Sequence, residues 1–342
     1  MRYIGGKALN IDRIFEVISE NHVVADSIMD IFSGSGVVAR EFLKRNYQVI
    51  TNDLMYFSYV LNRGTICINK ALNFPNLDIE NPIKYLNELT IKDTNIGLED
   101  CFIYSNYSPN QNCERMYFQN KNAIKIDIIR KTIELLHAEN KINDDEYFYL
   151  LASLINAIPY VSNIAGVYGA YLKHWDKRTY KDLILSEPEI ILSSKENIAY
   201  NMDANELAPK IKADLTYIDP PYNSRQYLPN YHILETVAKY DNPKIKGVAG
   251  LRDYKNQKSL YCQKSKVSDA FADLLNKLNT KYIIVSYNNE GLLSTQELSE
   301  IIKNSGIKST FKLYEFDYRR YKSKIPNNED GLKEQLYFIR KK

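Results

Sequence analysis

The sequence predicts an α/β protein, one sheet interrupted by a largely helical insertion. Three observations carry this. A strand–glycine turn–helix–strand unit of about 30 residues lies near the start and closes on Asp53. Two periodic helices stand in the middle of the chain. Apolar strand patterns return from about residue 195 to the C-terminal region.

Taken in order, Ile11, Ile14, Phe15 and Ile18 recur at helical spacing over 10–20. Residues 22–32 read as a buried strand ending in Asp30-Ile31-Phe32, and the turn Ser33-Gly34-Ser35-Gly36 follows at once. Val37 to Lys44 reads as a helix and Tyr47 to Asn52 as the next strand. Residues 60–120 are irregular and rich in Asn. Residues 121–140 form an amphipathic helix with Ile124, Ile128, Ile129, Ile133, Leu135 and Leu136 as its apolar positions. A second runs from the acidic start at Asp144 to the stop at Pro159. Ser162 to Asp176 is a glycine- and aromatic-rich loop. Asp214 to Ile218 is an apolar strand that runs into Asp219-Pro220-Pro221-Tyr222, and Lys281 to Tyr287 is another. Thr310 to Tyr318 and Gln335 to Arg340 read as a closing antiparallel pair.

Composition sets the outer limits. With 342 residues, 44% hydrophobic and 25% charged, the chain is ordinary for a globular protein of about two domains. No apolar run reaches the roughly 18 residues of a membrane span, and the opening lacks the apolar stretch of a signal peptide. Four separated cysteines without a Cys-x-x-Cys pair read as reduced thiols of a cytoplasmic protein. His22, His137, His174 and His232 are scattered, so no metal site is expected. Net charge is only +3, so a nucleic-acid surface would have to come from local patterning. The 28 tyrosines fit a coding bias or a surface that stacks on bases; position decides between them, not number.

Two constellations carry chemistry. In the first, Asp30, Gly34 and Gly36 are followed by Asp53 at the end of the second strand. The glycines let the chain turn sharply and let a ligand approach the backbone. The next helix offers its N-terminal N–H groups to an anion, and an acid at the second strand's end can accept from ribose hydroxyls. The full Gly-x-Gly-x-x-Gly and a Gly-Lys-Ser/Thr are absent, which argues against a dinucleotide and against a P-loop. A small adenosine-type ligand is the expectation. In the second, Asp219, Pro220, Pro221 and Tyr222 follow a strand, where open α/β sheets place their chemistry. The prolines fix the backbone and remove two N–H donors. The Asp219 carboxylate, the Pro220 carbonyl and the flat Tyr222 ring suit a planar group bearing an NH₂, such as adenine.

On these motifs the sequence resembles the Dam-related, alpha-group DNA N6-adenine methyltransferases of restriction–modification type. Tyr3-Ile4-Gly5-Gly6-Lys7 is similar to that family's N-terminal cofactor motif, with Tyr3 where Dam-type enzymes carry Trp. Asp30 to Gly36 resembles its glycine motif, Asp53 its ribose-binding acid, Asn201-Met202-Asp203 its acidic motif and Asp219 to Tyr222 its catalytic tetrapeptide. Asn223 to Thr236 and Ser286-Tyr287-Asn288 resemble the branch that accompanies restriction systems. The resemblance covers about 1–60 and 195–290.

The resemblance implies a Rossmann-like S-adenosylmethionine-dependent sheet in 1–60 and 195–342, and a helical target-recognition domain inserted at 61–194. It implies S-adenosylmethionine as methyl donor. Tyr3 would contact the cofactor, Asp53 would hold its ribose, and Lys7 would face the methionine carboxylate. Asp30, Gly34 and Gly36 would line the methionine end, and Asp203 would meet the adenine. Double-stranded DNA is the implied substrate, and a cognate restriction endonuclease the implied partner in the same system.

Residues 239–266 hold eight Lys/Arg against two acids, with Tyr240, Tyr254 and Tyr261 interleaved. Lys244, Lys246, Arg252, Lys255 and Lys258 are candidates for phosphate contact, with Arg225 just after the tetrapeptide. Lys173 and Arg178 are candidates in the insertion, and Tyr318 to Lys324 is a weaker basic patch. A solvated basic loop is the plain alternative. Two other functions compete: a methyltransferase acting on RNA or on a protein amide, and a DNA-binding module without activity. The long stretch between Asp53 and Asp219 favours a recognition domain, and the intact tetrapeptide favours an enzyme.

Overall fold

The computed structural model describes Lys7, residues 10–317 and residues 331–341. Along the chain, α1 (Ile11–Glu20) precedes β1 (Ser27–Asp30), α2 (Val37–Lys44) and β2 (Gln48–Asn52). Five helices follow: α3 (Tyr56–Arg63), α4 (Pro82–Glu88), α5 (Phe102–Tyr107), α6 (Asn120–Ala138) and α7 (Asp144–Ala157). Then come β3 (Ile198–Tyr200), α8 (Ala204–Leu207), β4 (Lys212–Ile218) and α9 (Leu228–Lys239). The chain closes through α10 (Val267–Lys277), β5 (Asn279–Asn288), α11 (Thr295–Asn304), β6 (Lys312–Asp317) and β7 (Lys333–Arg340).

The seven strands form one sheet in the order β3-β2-β1-β4-β5-β7-β6. Strands β1 to β5 pair in parallel, and β7 runs antiparallel to both β5 and β6. Parallel strands are covered on both faces, so they read as continuous apolar runs. The stretch Tyr282 to Tyr287 in β5 is buried throughout. A core around Met29, Ile31, Ile218, Phe271, Leu274, Ile283, Leu298 and Tyr337 joins the sheet to α8, α10 and α11. The order reverses between β1 and β4: one progression leads from β1 to β2 and β3, the other from β4 to β5. Ligands bind at such a switch point, outside the carboxyl ends of the strands.

Residues 7–54, 195–227 and 258–342 make one compact unit, which holds the sheet. Residues 55–194 and 228–257 belong to a second, helical unit. The sequence reading leaves 228–257 with the sheet. Helix α9 is buried on nearly its whole circumference, which is why it belongs to the helices instead. Its Glu235 carboxylate is fully buried and accepts from the Tyr56 and Phe57 N–H groups at the start of α3. His232, one turn earlier, is bonded through Nε2 to the Tyr168 carbonyl at 2.9 Å.

Most expected elements stand where the patterns place them, with three differences. Strand β1 is shorter than 22–32, because His22 takes a positive φ after α1 and Val24 is exposed. The irregular stretch 60–120 contains α4 and α5, each too short to show helical periodicity. Helix α6 is less amphipathic than expected: it buries Asn122, Asp127 and Arg130, while Leu135 is exposed. Asp127 earns its place by capping α5, accepting from the Ile103 and Tyr104 N–H groups at 2.9 and 2.8 Å.

Candidate active site

The tetrapeptide leaves the carboxyl end of β4, beside the carboxyl end of β1, where Asp30 is the last strand residue. The two acids therefore stand at the switch point. Asp30 is buried, and its Oδ1 accepts no hydrogen bond. Burial first, and then the charges of Asp219 and Asp53, push its carboxyl well above the usual range. Backbone N–H groups of Phe32 and Ala39 pull the other way.

Asp219 keeps 17% of its side-chain surface exposed, yet its Oδ1 is buried and accepts no hydrogen bond. Its carboxyl is pushed up to about 7, by burial first and by the nearby Glu334 carboxylate, with the Lys7 ammonium opposing both. Lys7 Nζ stands 3.4 Å from that Oδ1. Its close partner is Glu334 of β7, buried with it. Burial lowers the Lys7 pKa, but the Asp219 and Glu334 carboxylates outweigh it and hold the ammonium charged. Lys7 Nζ also lies 5.5 Å from the centre of the Tyr222 ring. Tyr222 meets Tyr287 edge-on at 5.9 Å, and its carbonyl accepts from the Leu292 N–H at 2.9 Å.

The first constellation is assembled around the ends of β1, β2 and β3. Gly34 and Gly36 are buried with φ of +51° and +75°, the left-handed region that glycine enters without cost from a Cβ. Gly36 precedes the first turn of α2. The Gly34 N–H donates to Asp53 Oδ2 at 2.8 Å. The Asp53 N–H donates to the Tyr200 carbonyl, and the Asn201 amide donates to the Asp53 carbonyl. Asp203 caps α8 by accepting from the Asn205 N–H at 2.8 Å.

Buried carboxylates and an unpartnered Asp30 Oδ1 beside a glycine turn suit a small ligand with cationic character. The family comparison decides what kind of protein carries this arrangement. The D12 class N6 adenine-specific DNA methyltransferase family matches residues 3–301. The chain belongs to that family.

Curated relatives match over nearly the whole chain. It is 47% identical to the type II methyltransferase M.FokI of Planomicrobium okeanokoites, over 100% of this chain and 53% of that protein. It is 42% identical to the modification methylase StsI of Streptococcus sanguinis, over 100% of this chain and 52% of that protein. The chain thus spans about half the length of these two relatives. It is 38% identical to the type II methyltransferase M.NlaIII of Neisseria lactamica, over 96% of this chain and 95% of that protein.

Within this D12 chain, Lys7, Asp30, Gly34, Gly36, Asp53 and the tetrapeptide all fall in the sheet-bearing unit. Tyr3 and the patch 318–324 lie outside the described residues. Sequence reasoning missed Glu334, which sits in an ordinary-looking strand, and Asn52. Asn52 is buried, donates to the Ile31 and Met202 carbonyls, and accepts from the Met202 N–H. That amide ties the end of β2 to the segments that follow β1 and β3.

The basic candidates divide by exposure. Arg225, Lys173, Lys244, Lys246, Lys255 and Lys258 are exposed. Arg252 is not: it is buried in a two-bond ion pair with Asp241, at 3.0 and 2.6 Å. Its two terminal nitrogens are engaged with Asp241, which argues against its expected role in DNA contact. Arg178 is half-buried and bound to the Ile164 carbonyl and to Asp176. His232 lies in the helical unit with its Nδ1 unpartnered, and burial pulls its pKa down to about 4. It is a neutral core imidazole. No cluster of His, Cys, Asp or Glu among the described residues could hold a metal ion. No helix among them is long and apolar enough to cross a membrane.

Proposed function

We propose that this chain transfers a methyl group from S-adenosylmethionine to the N6 amine of adenine in double-stranded DNA, as the modification half of a restriction–modification system. The observation that carries the reading is Asp219 at the switch point. It is an acceptor whose buried Oδ1 has no hydrogen bond, next to the Pro220 carbonyl and the Tyr222 ring. An amide-directed or RNA-directed enzyme is the alternative. The names of the type II and modification relatives favour DNA. The motif order supports placing the chain in the Dam-like alpha group.

When bound, S-adenosylmethionine supplies an electrophilic methyl on a sulfonium that leaves readily. The residues present suit it. Asp53 offers a carboxylate toward ribose hydroxyls, Gly34 and Gly36 open the backbone, and Asp30 offers its unpartnered Oδ1 at the methionine end. Asp203 is the candidate for the adenine end, Lys7 for the methionine carboxylate and Tyr3 for a further cofactor contact.

The adenine amine is a weak nucleophile because its lone pair is delocalised into the ring. Asp219 and the Pro220 carbonyl accept its two N–H bonds, which favours a pyramidal nitrogen with the lone pair aimed outward. Ionised Asp219 then stabilises the positive charge that develops on that nitrogen. Tyr222 supplies a face for the base, which must leave the duplex at a cost of a few kcal/mol. Holding both reactants in line supplies much of the remaining acceleration.

The helical unit is the candidate for sequence readout. Exposed Lys244, Lys246 and Lys255, with Lys258 and Arg225 from the other unit, are proposed to contact phosphates, and Lys173 to assist. The chain would work in the cytoplasm with its DNA and a cognate endonuclease. Tritiated methyl transfer to unmodified genomic DNA, followed by nucleoside digestion, tests the reading. Label in N6-methyladenine is the expected result. Label confined to RNA or protein, with S-adenosylmethionine still bound, would overturn the substrate.

A further inference from the structure

The catalytic acid has a cation beside it and yet keeps an open acceptor, and that combination needs a cause. A buried ammonium 3.4 Å from a buried carboxylate oxygen would ordinarily close onto it and take up its lone pairs. Here Lys7 is also ion-paired to Glu334, and its 3.4 Å approach to Asp219 Oδ1 is longer than a normal charge-assisted hydrogen bond. Glu334 is itself fixed. It lies in β7, it is buried, and the Ser286 hydroxyl of β5 donates to its Oε1 at 3.0 Å.

We propose that Glu334 is a positioning residue, which holds the Lys7 ammonium back from Asp219 so that the Asp219 carboxylate stays open to the substrate amine. This rests on the adenine-methylation reading above. Lys7 near Asp219 keeps the acid ionisable, and Glu334 stops it from blocking the acid. The groups facing Asp219 are Lys7, Glu334 of β7, Asp30 of β1 and Tyr217 of β4. Of these, Glu334 opposes ionisation of Asp219 and Lys7 favours it. Removing the Glu334 charge, and letting Lys7 move onto Asp219, therefore both lower the Asp219 pKa.

The test is Glu334→Gln, assayed for adenine methylation at saturating S-adenosylmethionine across pH 5–9. The plateau kcat is expected to fall by roughly 10-fold or more, as for loss of one aligned acceptor. The acid limb is expected to move to lower pH at the same time, which a merely loosened fold would not produce. Glu334→Asp should restore part of the plateau. In a Lys7→Met background, Glu334→Gln should have little further effect on the plateau, because the ammonium it restrains is gone. If Glu334→Gln does not fold, Ser286→Ala is measured instead, with the same directions expected and smaller size. An unchanged plateau, a limb that stays or moves to higher pH, or an equal loss in the Lys7→Met background would overturn the proposal. Failure of the unaltered protein to methylate adenine would instead overturn the reading of its function.

Discussion

The Gly34 N–H donates to Asp53 Oδ2 over 2.8 Å, so the glycine turn after β1 is tied to the end of β2. One carboxylate therefore shapes the glycine turn and, in the proposed function, also accepts from the ribose. Asp53→Ala should raise the Kd for S-adenosylmethionine by roughly 10- to 100-fold, given about 1.5–3 kcal/mol for hydrogen bonds to a charged group. Asp53→Asn keeps an oxygen for the Gly34 N–H and should lose less. Equilibrium dialysis measures both. Equal affinity in Asp53→Ala and the unaltered chain would remove Asp53 from the site.

Asp219 and Asp30 face each other with carboxyls that cannot both ionise easily. Burial and the neighbouring carboxylates push Asp30 well above the usual range, and burial with the nearby Glu334 carboxylate pushes Asp219 up to about 7. The acceptor form of Asp219 is the ionised one. kcat/KM should therefore rise through pH 7 and fall about tenfold per unit below it, reporting the free enzyme. Asp219→Asn should cost roughly 10²–10³ in kcat, as for loss of one preorganised electrostatic partner, and should lack that limb. DNA affinity measured by fluorescence anisotropy should survive. A limb near pH 4 in the unaltered protein would mean that burial does not govern this acid.

Salt dependence separates the basic residues that sequence alone cannot rank. Lys244 and Lys246 are exposed, whereas Arg252 is buried against Asp241. Lys246→Ala should lower the slope of log K against log salt by about one phosphate contact and leave melting unchanged. Arg252→Ala leaves a partly exposed carboxylate and a buried gap. It should destabilise the fold by about 1–3 kcal/mol, chiefly through the lost packing of the buried Arg252 stem, since the Asp241 carboxylate can be hydrated. Thermal melts and salt titrations of both variants decide the matter. A lowered salt slope in folded Arg252→Ala would return that residue to the DNA surface.

The difference between Lys246 and Arg252 also marks where sequence reading stops. The positions of Asp30, Asp53 and Asp219 at strand ends, with Gly34 in the turn after the first, are legible because periodicity breaks there. Glu334 was not legible: it lies within an eight-residue strand, and only the pairing of β7 with β5 brings it to Ser286 and Lys7. Charge runs mislead for a related reason. A run shows that cations are present, but partners far along the chain, or several residues away as with Asp241, decide which of them meet solvent. The place of α9 in the helical unit was hidden too, because a helix buried on nearly all sides, His232 and Glu235 included, does not announce its neighbours.

The turn that carries Lys246 is held from outside itself, and that makes its order testable. Lys246 and Leu251 form an isolated bridge, with Gly247 and Gly250 at φ of +71° and +68° between them. Arg115 donates through Nε to the Val248 carbonyl and through its terminal nitrogens to the Gly247 and Asn106 carbonyls, all within 3.1 Å. The Tyr107 hydroxyl adds a bond to the Gly250 carbonyl at 2.8 Å. A guanidinium that satisfies three carbonyls fixes a segment whose own two glycines would otherwise leave it loose. Arg115→Ala should therefore speed amide exchange across 246–251 while α6 and α7 stay protected. If this turn meets phosphates, ordering it must then be completed on binding, so DNA affinity should fall by roughly 3- to 30-fold, about 0.7–2 kcal/mol. Gly250→Ala should act in the same direction, since a Cβ there would stand 2.8 Å from Arg115 Nε and 3.0 Å from the Tyr107 ring. Hydrogen exchange with DNA titrations on both variants checks the chain of cause. Faster exchange with unchanged affinity would show that the turn is ordered for the fold and not for the duplex.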